Sequence, residues 1–245
     1  MRSFLKPGFI LGVLLLSISG AFAEERPRVL FLGDPGYRQI GAAAAKELGE
    51  RAKFVFPSIE ANDSGSALNR IDEILGEGEW KVIFFNFGHG DLFYKDPRTK
   101  EIRAMSKRVG GVRVSTAEQY KENLEKIVNR LKESGAKIIW GSTTPMVTVN
   151  AFPSYQGNLF DANSEIEYNR IAAKVMASHG IAVCDAHAYV MAQFAPEDKH
   201  PAYNAYQKDL AKKKVELHAP VAKAIAGGLK MTLTLDCDDR DENHN

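Results

Sequence analysis

Short runs of Val, Ile, Leu and Phe recur along this chain, separated by longer stretches with apolar residues at helical spacing. The runs Arg28–Leu32, Lys53–Phe56, Lys81–Phe87, Lys137–Trp140 and Ile181–Cys184 show little polar alternation, which predicts strands covered on both faces. Between them, Gln39–Glu50, Ser66–Leu75, Ala117–Ser134 and Ser164–Ser178 read as helices. In the third, Tyr120, Leu124, Ile127, Val128 and Leu131 form one apolar stripe. Ser115, with Glu118 three residues on, predicts a capping box at its start. Gly135 and Gly180 stand where helices end before strands.

Alternation of this kind predicts the α/β class: a parallel five-stranded sheet with helices on both sides. Ligands of such sheets gather at the carboxyl ends of the strands. Attention therefore falls on the loops after Leu32, Phe56, Phe87, Trp140 and Cys184. The polar segment Phe93–Val114 reads as an excursion beside those loops. Phe152, Tyr155 and Phe160 in Ala151–Asn163, and Tyr203 and Tyr206 in Lys199–Asp209, either wall a cleft or pack beneath their own loops.

Residues 1–23 carry a positive start at Arg2 and Lys6, an apolar run from Phe9 to Ile18, and Ala21-Phe22-Ala23. That combination predicts a cleaved export signal, and a secreted or periplasmic protein. The run is shorter than the roughly 20 residues a spanning helix needs. Removing Arg2 and Lys6 from 32 basic residues leaves 30 against 31 acidic ones. A near-neutral surface argues against nucleic acid or an anionic membrane as partner. Residues 24–230 suffice for one domain with a full core, and 231–245 form an acidic tail around Asp236–Glu242. Cys184 and Cys237 allow one disulfide or two free thiols. Nothing indicates an oligomeric state.

After the first strand comes Gly33-Asp34-Pro35-Gly36-Tyr37-Arg38. The third strand lies in Leu75-Gly76-Glu77-Gly78-Glu79-Trp80-Lys81 through Gly88, and Thr143-Thr144-Pro145 follows the fourth. Glu167-Tyr168-Asn169-Arg170-Ile171-Ala172 precedes Gly180–Asp185. In order and spacing these blocks resemble the SGNH/GDSL hydrolases over most of Arg28–Leu229. The resemblance implies a three-layer, flavodoxin-like α/β/α fold, no cofactor, and action on acyl or carbohydrate esters.

The resemblance also assigns roles. The family's serine follows Gly-Asp and attacks the ester carbonyl. Its N–H, a glycine of the second block and an asparagine of the third bind the oxyanion, and a histidine with an aspartate three residues before it activates the serine. Here Pro35 stands at the serine and Gly90 at the asparagine. Val215 stands at the aspartate, and His218 at the histidine. The second block falls at Ala61–Gly65. Proline brings neither a nucleophile nor an N–H, so the expectation is a weakened or inactive member that keeps its cleft. Pro35, Gly36, Ser64, Asn86, Gly88 and Gly90 would line that cleft, and a small-molecule or carbohydrate ester would fill it.

The alternative is an esterase with a rearranged site around Asp34, His89, Asp91 and His218. A relocated serine (Ser64, Ser66 or Ser142), or water activated by a metal on those same residues, would then supply the nucleophile. No paired metal-ligand spacing supports the second route. Asp185 or Glu216 would replace the missing carboxylate beside His218, which otherwise reads as a packing histidine near a helix start.

Overall fold

The computed structural model describes residues 25–59, 61–99, 104–145, 159–161, 163–192 and 219–233. Five parallel strands form the main sheet: β1 (Arg28–Leu32), β2 (Lys53–Val55), β3 (Val82–Phe85), β6 (Lys137–Gly141) and β7 (Ala182–Cys184). Their order is β2-β1-β3-β6-β7. The path thus runs one way from β1 to β2 and the other way through β3, β6 and β7. The crevice between the ends of β1 and β3 is therefore the switch point where open sheets of this kind bind ligands.

Successive side chains of a strand face opposite sides, and the two cores divide accordingly. Leu30, Leu32, Ile83, Phe85 and Trp140 pack with α2 (Ser64–Asn69), α3 (Ile71–Leu75), α5 (Ala117–Lys132) and α6 (Ser164–His179). On the other side, Val29, Phe31, Val82, Phe84 and Ile139 pack with α1 (Pro35–Leu48), α7 (Ala186–Met191) and α8, a helix over 219–233. The result is the expected three-layer α/β/α arrangement. Tyr120, Leu124, Ile127, Val128 and Leu131 of α5 are all fully buried, the aliphatic ones each contributing roughly 1.5–3 kcal/mol.

Three local expectations are corrected. The cap of α5 is Thr116, whose Oγ1 accepts from Gln119 N while Gln119 Oε1 accepts from Thr116 N. Ser115 does not cap, because its hydroxyl donates to Asp91 instead. The expected helix Ser66–Leu75 is two short helices broken at Arg70. The first helix starts at Pro35, four residues earlier than expected.

Within the excursion, Tyr94 and Lys95 pair with Val112 and Arg113 as a two-stranded hairpin, β4 (Tyr94–Lys95) and β5 (Val112–Arg113). Asp161 ties it down, accepting from Tyr94 Oη at 2.6 Å and Arg113 Nη2 at 2.7 Å. The Tyr94 hydroxyl and neighbouring cations hold its carboxyl below the usual range. Among the described residues no helix is long and apolar enough to cross a membrane. The signal segment, most of the acidic tail and Cys237 lie outside the described residues.

Candidate functional site

At the end of β1, Asp34 is the helix cap of α1. Its carbonyl accepts from Arg38 N at 3.0 Å and its Oδ1 from Tyr37 N at 3.2 Å. Pro35 then opens the helix, where a missing N–H costs nothing because the first turn has no partner for it. The Asp-Pro pair thus has a complete local explanation as a helix start, and Gly36 lies in the same first turn. Tyr37 is fully buried, and its hydroxyl donates to the carbonyl of Ser142 at the end of β6.

Four residues after β3, His89 crosses the switch point. Its Nδ1 lies 3.4 Å from Asp34 Oδ2 and its Nε2 lies 2.8 Å from the Thr144 carbonyl. Both nitrogens face acceptors, so the imidazolium is the form that satisfies them. Burial pulls the His89 value down, but the Asp34 charge and the bonds to Asp34 and Thr144 outweigh it, and the net shift is upward. Asn86 supports the same crevice from beneath, donating through Nδ2 to the Gly141 carbonyl at 2.8 Å and to Thr143 Oγ1 at 3.2 Å. Gly88 lets Thr143 approach: a Cβ there would fall 2.0 Å from Thr143 Oγ1. Thr143 is itself clamped, its N–H and carbonyl both bonded to the Asn169 amide at 2.8 Å.

Gly90 does more than lack an amide. A Cβ at this position would lie 1.7 Å from the Asn62 carbonyl oxygen. The backbone of the second-block loop occupies the space an asparagine side chain would need.

Asp91 keeps other company. It is fully buried and accepts from Ser64 N, Ser64 Oγ and Ser115 Oγ. Asn123 Nδ2 in turn donates to Ser64 Oγ at 3.0 Å. Burial outweighs these bonds and pushes the Asp91 carboxyl up to about 7. Asp34 and His89 therefore meet, while Asp91 belongs to a network joining α2 and α5. Among the described residues no cluster of three or more His, Cys, Asp or Glu is arranged to hold a metal. His218 lies outside the described residues, as do Val215 and Glu216.

The three serines are each engaged. Ser64 serves Asp91, and Ser66 closes the capping box of α2 with Asp63. Ser142 Oγ donates to Asp185 Oδ1 at 2.9 Å and accepts from His187 N. Asp185 also caps α7. Phe160 packs edge-on against Phe93, with centroids 5.5 Å apart, so it is a packing aromatic. Phe152, Tyr155, Tyr203 and Tyr206 lie outside the described residues.

Sequence reasoning missed Glu165 and His187. Glu165 is fully buried in the first turn of α6, with Oε1 3.7 Å from His187 Nε2. An acidic residue in a first turn reads from sequence as dipole compensation, so no signal marked it. Also missed was a cavity of about 120 Å³ beside Gly33, walled by Phe31, Pro57, Ile59 and Phe87, with Arg38 and Asn62 the polar side chains at its edge among the described residues.

No curated protein matches the sequence. Solved structures do match the fold. A GDSL-like lipase candidate from Parabacteroides merdae aligns with 14% identity and a TM-score of 0.57, covering 84% of this chain and 97% of its own. An acylhydrolase candidate from Bacteroides fragilis aligns with 16% identity and a TM-score of 0.54, covering 85% and 91%. The acetyl xylan esterase AlAXEase aligns with 12% identity and a TM-score of 0.51, covering 82% and 98%. The family model for GDSL-like lipases and acylhydrolases matches residues 20–219. With the flavodoxin-like strand order and the block order in agreement, the chain belongs to the GDSL-like lipase/acylhydrolase family.

Proposed function

We propose that this chain is a family member in which ester hydrolysis is weakened or lost, and which retains a strand-end cleft for a small acyl or carbohydrate ester. The observation that carries the reading is the helix start at Asp34-Pro35. The position after Gly-Asp holds a residue with neither nucleophile nor N–H, in a place where proline is at ease. Gly90 supports it, since an oxyanion donor has no room there. The engagement of Ser64, Ser66 and Ser142 weighs against a relocated serine, for which nucleophile, base and oxyanion donors would all have to move together. Losing a nucleophile leaves only the residual rate that binding and oxyanion donors supply. The leader-like residues 1–23 support export to a secreted or periplasmic location.

The test is ester hydrolysis by the purified mature chain against His218→Ala, each with and without chelator, on short acyl esters and acetylated sugars. No turnover above the variant is expected. Turnover that His218→Ala abolishes would overturn the reading, and chelator sensitivity would then assign it to metal-activated water instead of serine.

A further inference from the structure

We infer that the groove between α2, α5 and the β4–β5 hairpin binds an acidic glycan, one whose sugar units carry both hydroxyls and carboxylates. The inference rests on the reading above that this chain takes a carbohydrate ester, and it names the class of carbohydrate.

The hydroxyl chemistry comes from two amides. Gln119 and Asn123 stand one turn apart on the same face of α5, and both line the groove together with Asn69 of α2 and Lys95 of β4. Each is held by one end. Gln119 Oε1 accepts from Thr116 N at 2.9 Å, so its other end is the Nε2 donor. Ser64 Oγ gives its hydrogen to Asp91 and accepts from Asn123 Nδ2, so the other end of Asn123 is the Oδ1 acceptor. Both amides are therefore oriented before a ligand arrives, which lowers the ordering cost of binding. A donor and an acceptor one turn apart suit sugar hydroxyls, which donate and accept at once. Asp63 also lines the groove, where its carboxylate is engaged with Ser66 as the cap of α2.

The charge comes from the excursion that carries Lys95. Phe93–Val114 holds seven basic residues and two acidic ones, which leaves 23 basic against 29 acidic in the rest of residues 24–245. The near-neutral total thus conceals a partition, a basic excursion on an acidic body. Asp161 pairs with Lys107 and Arg113, and even with its charge added the excursion keeps an excess of base. Lys95 brings that charge to the groove itself. A field of this sign draws a polyanion, whereas the amides alone would serve a neutral sugar equally well. A polyanion without hydroxyls would meet the field and leave the amides idle.

The experiment is calorimetric titration of the mature full chain with hexagalacturonate, cellohexaose, a polyglutamate of equal charge and a single-stranded deoxyoligonucleotide, repeated on Lys95→Gln and Gln119→Glu. Hexagalacturonate should bind about tenfold or more tightly than any of the other three, and should weaken as salt rises. Gln119→Glu keeps the oxygen that caps α5 but replaces the donor with a like charge. It should cost about tenfold in hexagalacturonate affinity with thermal stability retained. Lys95→Gln should narrow the lead over cellohexaose. Cellohexaose, polyglutamate or the oligonucleotide binding as tightly as hexagalacturonate would overturn the inference, as would an unchanged Lys95→Gln or Gln119→Glu. Ester turnover that His218→Ala abolishes would end the earlier reading and leave a positive hexagalacturonate result standing. Absent hexagalacturonate binding in a chain without turnover would end only this inference.

Discussion

Asp34 and Asp91 are both buried at the carboxyl end of the same sheet, yet their surroundings differ in kind. Asp34 faces an imidazole across the switch point, and its charge raises that ring's proton affinity. Asp91 is surrounded by neutral donors from Ser64 and Ser115, and burial pushes its carboxyl up to about 7. The comparison teaches that donors alone do not keep a buried carboxylate charged here. Three hydrogen bonds lower the value, but desolvation exceeds them. At His89 a charged partner tips the balance the other way, the attraction of Asp34 and the bonds to Asp34 and Thr144 exceeding desolvation. Around Asp91 the chain has built a neutralisable brace, and between Asp34 and His89 a charged clasp.

Gly90 lies between the two regions, one residue from each of His89 and Asp91, and it is where the loop around Asn62 presses in. Restoring the family's amide with Gly90→Asn should therefore break both at once. The Cβ would meet the Asn62 backbone at 1.7 Å, and backbone cannot step aside as a flexible side chain can. A loss of about 3 kcal/mol or more is expected in urea unfolding, with no gain in ester hydrolysis. Near-neutral stability would mean that the loop yields, and that the brace and the clasp do not share this seam.

This seam also marks the limit of what the sequence discloses. The strands, the stripe of α5 and the block order are local patterns, and hydrophobic periodicity reads them directly. Pro35 and Gly90 were visible as departures from a family pattern. That Asn62 fills the space beside Gly90 was not, since it depends on two loops meeting. His89 and Asp91 looked equivalent as candidate chemistry, two residues apart. They separate because α4 (His89–Leu92) turns one towards Asp34 and Thr144 and the other towards Ser64 and Ser115. The misplaced cap of α5 has the same origin: Ser115 is spent on a carboxylate 24 residues earlier in the chain, which no capping rule anticipates.

The next effect in size tests the brace. Asp91→Ala would leave Ser64 N–H and two hydroxyls buried without their acceptor, at a cost of about 2–4 kcal/mol. The pH dependence is the sharper probe. The folded value, about 7, lies above the ordinary ~3.9 for Asp. Between those limits the native state holds more protons than the unfolded one, so this group makes the fold less stable as pH rises. Chemical denaturation at pH 4.5 and pH 7.5 should show wild type losing more stability over that interval than Asp91→Asn, which does not titrate. Parallel pH profiles would mean that Asp91 stays charged, with its three donors outweighing burial after all.

The clasp carries the smallest effect and the opposite partner logic. His89 has a raised value in the fold, so its contribution is fully present below the ordinary ~6.5 and is lost as pH climbs through the folded value. The window therefore opens where that of Asp91 is closing. A double-mutant cycle of Asp34→Asn and His89→Gln should give a coupling of about 1–2 kcal/mol at pH 6, and the coupling should fall as pH climbs through the folded value of the ring. The His89 side chain is 22% exposed, which keeps the coupling below that of a sealed ion pair. The same cycle run on Asp91 and His89 should show no coupling that shifts over this range, because Asp91 bonds a different set of groups. If Asp91 couples to His89 as strongly as Asp34 does, the two carboxylates form one electrostatic site, and the rearranged-esterase alternative gains a charge relay it otherwise lacks.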